Sequence, residues 1–267
     1  MRTSMRSAAL AATAVSLALL VTACGGGEKS GDQGKDTGKE AAPSASATSG
    51  APAASSAPAT SSAPAAKALT AAELEKLIVE QADLPGHQVQ KAEAGEIPAS
   101  SAISADKPSC KPLADAMSYL APGKPAVSAH RKAIEVPKTE GKTASPEDVL
   151  GALAAPVTGV ALGSYDGQGA QEAFASLKTA GTDCAGGFTL IGGGERTKIT
   201  KVAPETVAGE AALAWTVTTD VEGKPWVTKL VVFRHGNTLA SLSTISFGGT
   251  VKALPKAIID AQAAKLG

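Results

Sequence analysis

Ala211-Ala212-Leu213-Ala214-Trp215-Thr216-Val217-Thr218-Thr219 is followed, across Glu222-Gly223-Lys224-Pro225, by Trp226-Val227-Thr228-Lys229-Leu230-Val231-Val232-Phe233. In the first run Leu213, Trp215 and Val217 share one face while Thr216 and Thr218 take the other, the period of two that a strand imposes. So short a Gly-Lys-Pro connection joins antiparallel neighbours, because a parallel pair needs a crossover of about a dozen residues or more. The same pattern extends outward to residues 188–191, 196–202 and 238–246, separated by Gly192-Gly193-Gly194, Ala208-Gly209 and Gly236-Asn237. The C-terminal part of the chain therefore reads as an antiparallel meander.

Upstream, the period changes to that of helices. In Leu69-Thr70-Ala71-Ala72-Glu73-Leu74, Thr70 at the N-cap and Glu73 at N3 form a capping box, and Leu69 and Leu74 a hydrophobic staple. Leu74, Leu77 and Ile78 line one face, and Asp83-Leu84-Pro85-Gly86 is the stop signal. Residues 87–107 read as irregular. A short helix over residues 112–120 carries Leu113, Met117 and Leu120 on one side, with Cys110 at its start. Residues 129–136 and 157–162 read as strands, and Ser145-Pro146-Glu147-Asp148 opens a helix between them, with Ser at the N-cap and Pro at N1. Residues 168–180 form an amphipathic helix with Ala170, Phe174 and Leu177 inward, Gly181 as C-cap, and Cys184 next. A last helix over residues 255–266 would turn Ile259, Ala263 and Leu266 to the sheet. Helices bracketing a mainly antiparallel sheet make one α+β domain over residues 68–267, long enough to bury a real core.

The N-terminal part is of another kind. Arg2 and Arg6 precede an uncharged apolar run over residues 8–21, too short for a bilayer span of about 20 residues and suited to a signal peptide over residues 1–23. Its end, Leu20-Val21-Thr22-Ala23-Cys24-Gly25, resembles the lipobox of bacterial lipoproteins. That resemblance implies a diacylglyceryl thioether on Cys24, which becomes the mature N-terminus. Two acyl chains give stable retention where one chain is marginal. Residues 24–67 then form a spacer in which 41–66 contain only Ala, Pro, Ser, Thr and Gly. So little apolar bulk cannot offset the entropy of ordering a backbone, so the spacer is expected to stay unfolded and extended. The expected location is the extracytoplasmic face of the cell membrane, with membrane lipid as a partner through Cys24.

Lys plus Arg and Asp plus Glu each number 25, and no basic cluster stands out, which speaks against a nucleic-acid partner. With Cys24 lipidated, Cys110 and Cys184 remain, and outside the membrane such a pair is expected to be joined. Closing so long a loop contributes about 4–5 kcal/mol through lost unfolded-state entropy. Neither a CxxC spacing nor an electropositive neighbourhood suggests redox work.

No motif for catalysis emerges. His87, His130 and His235 are scattered, without carboxylates or thiols at ligand spacing, so no metal or other cofactor is expected. Gly163-Ser164-Tyr165-Asp166-Gly167 places Ser wrongly for a nucleophile elbow. Ser104-Ala105-Asp106-Lys107 matches S-x-x-K without its companion motifs, and Gly192-Gly193-Gly194 leads into a strand rather than a helix. Glu147-Asp148 and Asp220-Glu222 sit at a helix start and a hairpin, where charge needs no catalytic reason. Trp215, Tyr165 and Trp226 could line a pocket, but aromatics at strand spacing belong more naturally to a core.

The order of the capped helix, Asp83-Leu84-Pro85-Gly86, a helix beginning at Cys110, and Ala170-x-x-x-Phe174-x-x-Leu177 leading to Cys184 resembles the PknH-like extracellular sensor domain. Val231-Val232-Phe233-Arg234-His235-Gly236-Asn237 and a terminal helix rich in Ala and Gln fit the same family. That resemblance implies an antiparallel sheet flanked by helices with a cleft between them, ligand sensing without catalysis, and an actinobacterial source. The family's kinase domains carry two disulfides, whereas this domain has cysteines for one. The expected function is a non-enzymatic, membrane-anchored domain that binds or senses a small or amphipathic ligand. The alternative is an interaction or accessory module for an envelope protein. The residues that would touch a ligand are not given by the sequence.

Overall fold

The computed structural model describes residues 66–93, 95–136, 151, 154–209 and 211–267. The signal peptide, Cys24, most of the spacer and the helix start at Ser145 lie outside the described residues. Among the described residues nine strands form one sheet: β1 (His87–Lys91), β2 (Ile103–Ala105), β3 (Val127–Glu135), β4 (Val157–Ser164), β5 (Phe188–Gly192), β6 (Glu195–Glu205), β7 (Ala212–Val221), β8 (Lys224–His235) and β9 (Thr238–Ile245). The α-helices lying wholly within the described residues are α1 (Ala71–Leu77), α2 (Lys111–Met117), α3 (Gly169–Asp183) and α4 (Lys256–Leu266). The strand order is β1-β3-β4-β9-β8-β7-β6-β5-β2, with every ladder antiparallel. The fold is α+β, as the hairpin signals from β5 to β9 predict.

Both faces of the sheet are covered. Leu230 and Val232 join Trp215, Val217 and Leu239 in one core beneath α2 and α3, with Leu113 and Leu177. Val231 and Phe233 point the other way, into a second core with Leu242, Leu74 and Ile78 of the α1 segment and Ile258 of α4. The continuous apolar run in β8 is thus the mark of a strand buried on both sides.

Two strands lie in the stretch the sequence presents as irregular. β1 has a single apolar residue, Val89, and makes a full ladder only because β3 supplies one side. Its open edge is closed by Gln81, whose Nε2 donates to His87 O at 2.7 Å and whose Oε1 accepts from Val89 N at 3.0 Å. Blocking an edge in this way removes a template for pairing with another chain. β2 is three residues long and pairs β5.

Helix ends also differ from expectation. The capping box of α1 is present, but the helix stops at Leu77, where Ile78 turns extended (φ −85°, ψ 147°), and a short 3-10 turn over Gln81–Asp83 follows. Gly181 is not a C-cap: α3 continues to Asp183. Its missing side chain serves packing instead, since a Cβ there would stand 2.5 Å from Trp215 Nε1. On α4 Ile259 and Leu266 pack against the second core as expected, but the fully buried residues are Ile258 and Gln262, and Ala263 is exposed. The reason is polar: Gln262 is needed at the end of α1.

The last spacer residues are fastened to the domain. Gly167 N donates to Ala66 O at 2.6 Å and Asn237 Nδ2 to Lys67 O at 2.7 Å. Ala68 N donates to Asp166 Oδ1 and Leu69 N to Ser164 Oγ, each at 2.9 Å. The chain therefore joins the domain at the sheet end where β4 finishes and β9 begins.

Candidate functional site

The opposite ends of β4 and β9 meet the first turn of α4. Pro255 precedes that helix, Lys256 starts it, and neither a capping side chain nor an acidic residue stands in its first turn. The Lys256 amide turns back to Leu254 O, and the amides of Ile258 and Ile259 to Pro255 O. Val227 N bonds Gly249 O at 2.7 Å and Val251 N bonds Val227 O at 3.0 Å, so β8 holds the segment before α4 as a wall. Thr158 and Thr244, paired across β4 and β9, form the floor. They are 1% and 2% exposed, and their hydroxyls lie 2.9 Å apart. His87 and its register partner Glu135 stand on the third side. Together with Pro156, Ser246, Lys252 and Ala257 these residues bound an open cavity of about 400 Å³. His87 Nδ1 is enclosed and has no hydrogen-bond partner among the described residues.

A second groove of about 590 Å³ lies between α2 and α3, lined by Ser100, Lys111, Asp115, Lys124 and Glu172. Burial pushes the Asp115 carboxyl above its ordinary range, and the Lys111 and Ser100 bonds recover only part of that. Its Oδ1 already bonds Lys111 Nζ and Ser100 Oγ. The carboxylate is committed to seating α2 against the preceding turn.

Of the residues singled out in the sequence, Cys110 and Cys184 are joined, with Cα atoms 5.9 Å apart, and tie the start of α2 to the end of α3. Neither lines a cavity described above. Trp215 and Tyr165 are core residues, 4% and 1% exposed. Lys107 of the S-x-x-K match donates to Gly187 O at 2.8 Å, so it is not placed as a base for Ser104. Asp220 accepts from Gly223 N at 2.8 Å and shapes the β7–β8 hairpin. Among the described residues no group of three or more His, Cys, Asp or Glu converges as a metal site. Among them, too, no helix is long and apolar enough to cross a membrane. His87 is the one histidine that reaches the α4 cavity. The other lining residues carry no local signal, because they come together only through the β4–β9 ladder and the return of α4.

No protein-family model matches the chain, and no curated protein matches it. Among solved structures the chain is similar to the extracellular domain of PknH from Mycobacterium tuberculosis, with a TM-score of 0.41 and 11% identity, covering 75% of this chain and 96% of that one. It is also similar to a protein of Mycobacterium smegmatis described as an Rv0999 ortholog, with a TM-score of 0.33 and 11% identity, covering 73% and 94% of the two chains.

Proposed function

We propose that this chain is a lipid-anchored extracytoplasmic protein whose domain binds a small or amphipathic ligand in the α4 cavity without transforming it. The anchor reading rests on Val21-Thr22-Ala23-Cys24 and the spacer behind it. The binding reading is carried by one observation: a concavity of about 400 Å³ floored by two almost wholly buried hydroxyls. Ligand sites have this size and this mix of apolar wall and few polar groups. The bonding of those groups supports binding without catalysis. Thr158 and Thr244 bond each other, and Ser246 Oγ donates to Ala154 O, so these three hydroxyls are engaged within the wall.

Native mass spectrometry of the mature protein, recovered from its own cell envelope, tests the reading. A stoichiometric adduct that disappears in Ala257→Trp, a change on the exposed rim of the cavity, is the expected result. A protein that is empty under gentle recovery would instead favour the interaction module. The anchor is tested separately, by Cys24→Ala, which should release the protein from the membrane fraction or leave it unprocessed.

A further inference from the structure

We infer that α4 is a strap over the cavity, and that its closure is set by the N-terminal segment into which the spacer runs. The inference concerns access to the cavity and holds whatever occupies it. The cavity wall from Thr250 to Ile258 is one unbroken stretch of chain, ending in the first turn of α4. β8 holds that stretch as far as Val251, whose amide donates to Val227 O at 3.0 Å. From Lys252 onward the described hydrogen bonds of the wall are local, so its position follows that of α4.

α4 rests on the sheet by a narrow ridge. Ile258 and Gln262, one turn apart on the same face, are its buried residues. Ile259 and Leu266 are only partly buried against the second core. With Ala263 they also line an open groove of about 390 Å³, whose other side is Ala212 and Phe233. The start of the helix thus borders the cavity and one flank borders a groove. Its polar fastenings lie elsewhere. Among the described residues every side-chain hydrogen bond between α4 and another element is made with residues 77–83. Gln262 serves Leu77 O and Val79 N, and Lys265 Nζ donates to Asp83 Oδ2 at 2.9 Å.

The dependence runs both ways. α4 has 11 residues and no side-chain N-cap, and α1 has 7 residues. Helices shorter than about 12 residues are marginal in isolation, so each keeps its shape by being seated. If α4 lifts, Leu77 O and Val79 N lose their partner beside Ile78 and Val79, both 0% exposed. Unpaired backbone groups are costly in such surroundings, so the end of α1 leaves its place as well. If α1 loosens, α4 loses its polar seat. Two elements that each need the other have a seated and a released state, and such a two-state element is what couples distant sites. Release removes the wall from Lys252 to Ile258 and opens the cavity. The upstream end of the same unit is Lys67–Leu69, where the spacer meets the domain. Entry of the spacer and access to the cavity therefore meet in one cooperative unit.

Native-state hydrogen exchange tests this on the mature chain carrying Cys24→Ala, in urea below its unfolding transition and with no ligand added. The Val79 amide and the amides of residues 260–266 should share one opening constant and one urea dependence. Their opening constant should exceed that of residues 230–233 in β8 by at least about tenfold, because a sub-global unit opens ahead of the whole domain. Thr70→Ala decides the coupling, since the Thr70 side chain bonds only within the α1 capping box. It should raise the opening of residues 260–266 by about fivefold, the effect of losing an N-cap. Gly159→Ala, a change on the α2 side of the sheet, should leave that opening as it is. Exchange of α4 only together with β8, or an equal response to Gly159→Ala, overturns the strap. An α4 opening that Thr70→Ala does not change overturns its control by the N-terminal segment. Either failure leaves the binding reading standing, because no ligand enters the measurement.

Discussion

Gln262 of α4 and Val79, just past α1, are joined in the core: Val79 N donates to Gln262 Oε1 at 3.0 Å, and Gln262 Nε2 donates to Leu77 O at 2.8 Å. Gln262 is 0% exposed. One amide thereby satisfies a carbonyl at the end of α1 and a free N–H of the chain that leaves it, groups a helix end otherwise leaves unpaired. The N-terminal and C-terminal helices of the domain are locked together on one face of the sheet.

Replacing Gln262 with Leu keeps the volume and removes both bonds. Each buried backbone group left unpaired costs about 1–3 kcal/mol, so a loss of roughly 2–4 kcal/mol is expected in urea unfolding. A loss below about 0.5 kcal/mol would show that the α1 end is satisfied in some other way.

Gly159 and Tyr119 form a second coupled pair. Tyr119 adopts a positive φ of 61°, and a Cβ on Gly159 would come within 1.8 Å of its Cδ1. The ring packs against β4 at Gly159 only because that position has no side chain. Gly159→Ala should cost about 1–3 kcal/mol through overpacking. In a Tyr119→Ala background the same change should be nearly free, so a double-mutant cycle reads the coupling directly.

The fold's pH dependence has two limbs. Burial raises the Glu75 carboxyl, but bonds from Lys91 and Arg131 outweigh it and hold the group below its ordinary range. The Lys265 bond and the Glu80 amide likewise lower Asp83. Depressed carboxylates give stability that is present above their unfolded pKa, near 4, and is lost as pH falls through the folded value. Glu75→Gln should therefore flatten part of the acid limb of a melting-temperature profile. At the other end, burial pushes the Tyr119 phenol up to about 12 and Tyr165 in the same direction. A raised tyrosine gives stability that is present below its unfolded pKa, about 10, and lost as pH rises through the folded value. Phenolate absorbance should stay low at pH 10.5 in the folded protein and rise on addition of denaturant. Half-ionised tyrosine in the folded protein at that pH would contradict this burial.

Asn237 offers a test of how the spacer is fastened. Its Nδ2 donates to Lys67 O and, at 3.0 Å, to Tyr165 O. Asn237→Ala should leave the core intact and speed hydrogen exchange at Ala68 and Leu69, measured by mass spectrometry. Unchanged exchange there would mean that Asp166 and Ser164 suffice to hold the segment.

The elements legible in the sequence are those whose signals are local. The Thr70–Glu73 capping box sets the start of α1, and glycine-rich hairpins between alternating runs set β5 to β9. What sequence hides is long-range. β1 has one apolar residue and depends on β3 and Gln81, and Gln262 looks like a solvent-facing residue until the end of α1 is seen beside it. Gly181 resembles a cap because a glycine near a helix end usually is one; here Trp215 needs the space. The candidate cavity was not legible at all, since His87, Thr158, Thr244 and the start of α4 are far apart in the chain and match no motif.

The most direct test of the account is hydrogen–deuterium exchange on the mature protein as recovered from cells, compared with the same protein after gentle unfolding, dialysis and refolding to strip any ligand. The account predicts that the recovered protein is protected at residues 244–258 and around His87, and that the α2–α3 groove at Ser100, Lys111 and Asp115 does not change. Identical exchange in the two samples, or protection confined to the α2–α3 groove, would contradict it.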